Sequence, residues 1–242
     1  MRKSIITTLL LAAVSAMPSS ILHHRHHRHR HMVTRRDPGN CSTQAQDANS
    51  DADSGGPGLK ITNGDTQSRC FFAYENSCDE IPLKYISIGI GETKFLSLPS
   101  SFQGRIVRGA ENVNLDGSPH LLGTWLEITF DNSQKGYADV SLIRGCDGAV
   151  TVASLDGSGA NTGFNDEGIL IGAPEAAYAV NDEGVKVIAA TEGQQSVVVP
   201  APRDYLVSKI GYGKAYIDDY HDNPVICSSN RRFGATFYQG AP

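Results

Sequence analysis

Residues 123–146, GTWLEITFDNSQKGYADVSLIRGC, restrict the fold more than any other stretch of the chain. Leu126, Ile128 and Phe130 alternate with Trp125, Glu127 and Thr129. After a polar turn, Ala138, Val140 and Leu142 alternate with Tyr137, Asp139 and Ser141. Successive strand side chains point to opposite faces, so each run has one apolar and one mixed face. If both apolar faces enter one core, Glu127 and Asp139 share the other face, with Trp125 and Tyr137 beside them. Two carboxylates with flanking aromatics on a rigid sheet suit the binding or cleavage of sugars. A half-exposed antiparallel sheet with no such role has the same alternation.

Similar short runs recur at 59–62, 70–74, 85–88, 93–98, 104–108, 124–130, 139–143, 150–154, 185–190, 196–199, 214–217 and 234–238. Turn dipeptides separate many of them: Asn63-Gly64, Asp116-Gly117, Asp147-Gly148 and Asp156-Gly157. Many short strands at this spacing predict an all-β sandwich or barrel. Short helices are expected at 174–180 and 203–210. No strand–helix–strand alternation is present, which argues against a doubly wound fold.

The first residues give an address. Arg2 and Lys3 precede an apolar run from Ile5 to Val14, and Val14-Ser15-Ala16 supplies the small residues of a cleavage site. Residues 1–16 read as a secretory signal peptide, the run being too short to span a bilayer. The product is therefore expected outside the cell, where cysteines oxidise. Residues 17–36 read as a propeptide. It holds six of the eight histidines, interleaved with arginines, and ends at the dibasic pair Arg35-Arg36. Dense histidine can bind divalent metals, but the interleaved arginines repel a cation and processing would remove the tract. Residues 37–57, rich in Ser, Asp, Gly and Gln, are expected to form a disordered leader with a glycosylation sequon at Asn40. The folded domain is expected at 58–242.

Charge narrows the partners. The first 36 residues hold seven of the 21 Lys and Arg and none of the 26 Asp and Glu, so processing leaves a strongly acidic protein. Such a surface repels nucleic acid and anionic membranes. A neutral polysaccharide or a host protein is the expected partner.

The five cysteines are Cys41, Cys70, Cys78, Cys146 and Cys227. Four in the domain allow three connectivities. Cys70 with Cys78 closes an easy local loop and leaves Cys146 for Cys227; pairing of Cys41 with Cys227 is the alternative. No spacing suits zinc. Asp218, Asp219, His221 and Asp222 could face a cation, but EF-hand spacing is absent and a solvated loop is expected. No nucleophile motif surrounds Ser141 or Ser154. Gly89, Gly91 and Gly145 mark turns or bulges, and no cofactor is expected.

Residues 126–130 (LEITF) and 137–145 (YADVSLIRG) resemble the "AEF" strand and the "YDVSLVDGFN" segment of the thaumatin-like family. Leu59 to Asn63, Gly104-Arg105-Ile106 and Ala235 to Tyr238 add weaker similarity. The chain resembles a cysteine-poor, fungal, secreted form of that family. The resemblance implies a flattened β-sandwich with an acidic cleft of one Arg, one Glu and three Asp, used for β-1,3-glucan binding and in some members for weak hydrolysis. Glu127 matches the Glu and Asp139 the first Asp. The next acid is replaced by Arg144, the Arg has no clear match although His120 stands near its place, and the last Asp is unassigned.

The glycan-binding set expected from these residues is Trp125, Glu127, Tyr137, Asp139 and Arg144. A hydrolase would be an endo-β-1,3-glucanase with Glu127 as acid and Asp139 as base or nucleophile. Arg144 is expected to pair with one of the two and keep both ionised, so binding without turnover is expected. A secreted effector or toxin-like protein with a protein target is the remaining class.

Overall fold

The computed structural model describes residues 41–241. The expected signal peptide, propeptide, Arg35-Arg36 site and Asn40 sequon lie outside the described residues. The strands are β1 (Gln46–Asp47), β2 (Gly58–Gly64), β3 (Arg69–Glu75), β4 (Lys84–Ile88), β5 (Thr93–Ser97), β6 (Gln103–Gly109) and β7 (Trp125–Phe130). They continue as β8 (Gly136–Ser141), β9 (Gly148–Ser154), β10 (Asn161–Gly163), β11 (Tyr178–Val180), β12 (Lys186–Ile188), β13 (Ile226–Ser228) and β14 (Arg232–Gly240). Among the described residues, helices are confined to the single turn α1 (Glu111–Asn114), α2 (Pro200–Ile210) and two short 3₁₀ turns. The protein is an all-β sandwich, as the alternating runs predict.

One sheet has the order β1-β4-β3-β6-β7-β8-β13, the other β10-β9-β14-β2-β5, and β11 and β12 form a separate hairpin. The alternation of β7 puts Leu126, Ile128 and Phe130 into the core. Ala138 and Val140 of β8 join them, and Phe233, Ala235 and Phe237 of β14 face them from the second sheet. The first long strand, β2, lies parallel to the last, β14. The terminal thirds of the domain are thereby closed onto each other.

β3 is buried on both faces. Phe71 and Ala73 enter the main core, whereas Phe72 and Tyr74 form a second small cluster with Val107 and Trp125 on the outer face. Residues 110–122 cover that cluster, with Leu121 packed against it.

Gly104, in β6, is fixed by close approach. A Cβ there would run into the carbonyl oxygen of Tyr74 on the neighbouring strand. Only glycine lets β3 and β6 pair at this point.

Several expectations are corrected. Residues 41–57 are attached to the domain rather than a disordered leader. Gln46 and Asp47 pair with Lys84 and Tyr85. Asp51 holds Lys84 at 3.0 Å and Asp53 holds Arg232 at 2.7 Å. Composition gave no warning, because this segment is anchored by charges meeting partners far along the chain. The disulfide links Cys41 to Cys78, and Cys70, Cys146 and Cys227 are free thiols. Cys70 and Cys146 are held inside β3 and the turn after β8, and Cys227 lies exposed on the edge strand β13. Neither expected pair, Cys70–Cys78 or Cys146–Cys227, is formed.

The expected strand at 139–143 starts earlier, at Gly136. Residues 214–217 make only a bridge, between Tyr216 and Ser141. Residues 194–196 form a 3₁₀ turn where a strand is expected at 196–199. The helix expected at 174–180 is one 3₁₀ turn followed by β11. The second expected helix is real and begins at Pro200, whose fixed φ and missing N–H suit a first helical turn.

Candidate functional site

The register of β6, β7 and β8 assembles the site. Arg105 lies opposite Glu127, and Glu127 lies opposite Asp139. One row of side chains on the outer face therefore reads cation, carboxyl, carboxyl. Tyr74 extends the row on β3, opposite Arg105. In the neighbouring rows Trp125 stands opposite Ser141, and Thr129 opposite Tyr137. The face expected to hold Trp125, Glu127, Tyr137 and Asp139 together does so.

The cation of this row is Arg105, where Arg144 is expected from the sequence. Arg105 is only 3 % exposed. Its guanidinium lies 4.6 Å from the Tyr74 ring centroid and 4.3 Å from that of Trp125, and Nη1 donates to Asp79 at 2.7 Å. Stacking between two rings and an ion pair at the end hold it rigidly. Arg144 lies in the turn after β8, where its charge acts on Asp219. His120 lies in the 110–122 segment, bonded to Asp116 and Asp182. Chain distance hid Arg105, since only strand pairing brings residue 105 to 127. The signal available in the sequence was the Gly104-Arg105 dipeptide.

The two carboxyls are not held ionised. Burial pushes Glu127 up to about 7, against the opposing pull of Arg105 and a hydrogen bond from Asp139. Asp139 is raised well above its usual range by burial first and by Glu127 second. Like charges this close cannot both ionise, so the pair shares a proton. Asp139 is the deeper member of the pair, at 6 % exposed.

A third carboxyl approaches from the loop after residue 217. The Tyr216–Ser141 bridge lays this chain along β8, with Leu142 N–H donating to Tyr216 O at 2.7 Å. Asp219 follows. Burial, then Glu192, raises its carboxyl to about 6. Its charge is felt by Glu127, and Tyr216 is raised by burial, then Asp139, Glu127 and Asp219. Asp219 is thus a third, chain-distant carboxyl whose charge acts on this cluster. Asp218 serves its own loop: it is fully buried and accepts from the Tyr220 and His221 amides and the His221 ring. Among the described residues no group of three or more His, Cys, Asp or Glu is arranged to hold a metal ion.

Of the expected aromatics, Trp125 is buried, 8 % exposed, and its indole N–H donates to Leu121 O at 3.0 Å. Tyr137 is exposed, in the row beside Asp139. Glu127 is partly open to solvent as a residue although Oε2 is buried. The cluster can therefore exchange protons with solvent and offer a neutral or singly charged carboxyl pair beside a fixed cation.

Neither family models nor curated proteins match the chain. Among solved structures, the crystal structure of the protein elicitor MoHrip2 from Magnaporthe oryzae matches at a TM-score of 0.33 and 18 % identity, covering 46 % of this chain and 81 % of that one. The likeness is partial and carries no functional assignment. Among the described residues no helix is long and apolar enough to cross a membrane.

Proposed function

We propose that this is a secreted protein on a thaumatin-like scaffold that binds a neutral cell-wall β-glucan without cleaving it. The observation that carries the reading is the cross-strand row Arg105–Glu127–Asp139, with Asp219 beside it. The segments that resemble the family, 126–130 and 137–145, supply β7, most of β8 and both carboxyls, and the 104–106 segment supplies the cation. A guanidinium next to a carboxyl pair sharing one proton offers donors and acceptors together, which suits sugar hydroxyls. The signal-like and dibasic segments at 1–36 support an extracellular destination.

Hydrolysis is the less favoured use. It needs a protonated acid and an ionised carboxylate, both in contact with the sugar. Here burial drives both carboxyls toward protonation, and Asp139 is buried.

The test is retention of the secreted protein on insoluble β-1,3-glucan, with sugar release from soluble glucan assayed alongside. Wild type is retained, Glu127→Ala and Asp219→Ala are lost to the supernatant, and Glu127→Gln is retained. No variant releases sugar. Equal retention of Glu127→Ala overturns the reading. Product that disappears in Glu127→Gln installs an endo-β-1,3-glucanase in its place. No retention and no product, with capture of a defined host protein, installs the effector.

A further inference from the structure

His120 joins two segments that no strand ladder connects. Its Nε2 lies 3.0 Å from Asp116 Oδ1 on its own segment, and its Nδ1 lies 2.8 Å from Asp182 Oδ2 in the turn between β11 and β12. Carboxylate oxygens only accept hydrogen bonds, and a neutral imidazole has one N–H. Both contacts are made at once only by the imidazolium. Its side chain is 13 % exposed. Directly beneath lies a cavity of about 40 Å³ lined by His120, Leu121, Leu122, Trp125, Asp182 and Glu183, among others. The next residue, Leu121, packs against Trp125 and accepts its indole proton.

We propose that residues 110–122 form a lid over Trp125, latched to the 181–185 turn by the His120 imidazolium, and that the latch opens when the imidazolium loses its proton. Deprotonation removes one of the two N–H donors, so either Asp116 or Asp182 is released. The lid keeps the tie from Asn114 to Tyr74 at its other end, where Tyr74 Oη donates to Asn114 O at 3.1 Å. Motion is thereby confined to the half that covers the indole. Trp125 stands beside the Arg105–Glu127–Asp139 row, so opening adds an aromatic face to it. That consequence for glycan binding rests on the function proposed above; the latch itself does not.

The other charged groups around the cavity are Arg69 on β3, Arg108 on β6, Asp147 after β8 and Glu183 beside Asp182. Arg69 is held by Asp65, and Arg108 by Asp65 and Asp147. His120 itself is raised by Asp116 and Asp182 against the cost of burial. The latch is accordingly closed in acid and opens on the alkaline side of an ordinary histidine.

Trp125 is the only tryptophan in the chain, so its fluorescence reports the lid with no glycan present. The experiment is acrylamide quenching of the secreted protein from about pH 5 to pH 9, with His120 titrated by NMR. Quenching rises with a midpoint matching that of His120. His120→Gln is quenched at all pH values like wild type at high pH, with unchanged far-UV circular dichroism. Asp182→Asn moves the midpoint down. Glu127→Gln keeps the transition. A flat wild-type profile, a His120→Gln profile matching wild type, or loss of the transition in Glu127→Gln overturns the latch. Loss in Glu127→Gln would assign the transition to the carboxyl pair.

Discussion

Glu127 and Asp139 are direct cross-strand neighbours on β7 and β8, with Arg105 opposite Glu127 on the other side. The charge state of the pair, rather than its shape alone, is what the fold controls. The native protein binds protons at both groups more tightly than the unfolded chain does. Stability from this source is therefore present at acidic pH and falls as pH rises toward about 7, where Glu127 ionises. Thermal unfolding followed across pH 4.5–8 should show Tm declining on the alkaline side. Glu127→Gln should flatten that decline and gain roughly 2 kcal/mol at pH 8.

Removing the cation should hurt more than removing a carboxyl. Arg105→Ala leaves Asp79 and Glu127 without their guanidinium and opens a gap between Tyr74 and Trp125. The expected loss is about 3–5 kcal/mol by denaturant unfolding. Arg105→Lys should not restore it, because an ammonium cannot stack between two rings as a planar guanidinium does.

The disulfide is testable by chemistry and by stability. Peptide mapping without reduction should recover Cys41 joined to Cys78, and alkylation of the native protein should label Cys227 first and the buried Cys146 last. The link closes a separation of 37 residues. Its loss in a Cys41→Ser, Cys78→Ser double variant should cost about 2–4 kcal/mol, or roughly 5–15 °C in Tm.

Gly104→Ala should fail where other small-residue changes are tolerated. The added methyl meets the Tyr74 carbonyl, a backbone atom that cannot swing aside. A cost of about 3 kcal/mol or more is expected, together with loss of glucan retention, since Arg105 is the next residue.

The local pattern carries most of the architecture. Leu126-Glu127-Ile128-Thr129-Phe130 reads as a strand with one apolar side, and so does the stretch around Asp139, so an all-β sandwich or barrel follows from alternation, with both carboxyls on one face once the apolar sides share a core. The helix expected at 203–210 is likewise present, extended at its start to Pro200. What the chain by itself could not disclose depends on partners distant in sequence. The 41–57 segment has almost no apolar residues, yet Ala48 enters the core and Asp51 and Asp53 anchor the segment through Lys84 and Arg232. Cys41 finds Cys78 because the segment is anchored. Arg105 reaches Glu127 through the β6–β7 register, and Asp219 reaches the same cluster through one bridge to β8. Side-chain periodicity is set by the residues themselves. Which charges meet, and whether they stay ionised, is set by strand pairing and burial, and these exist only in the folded protein.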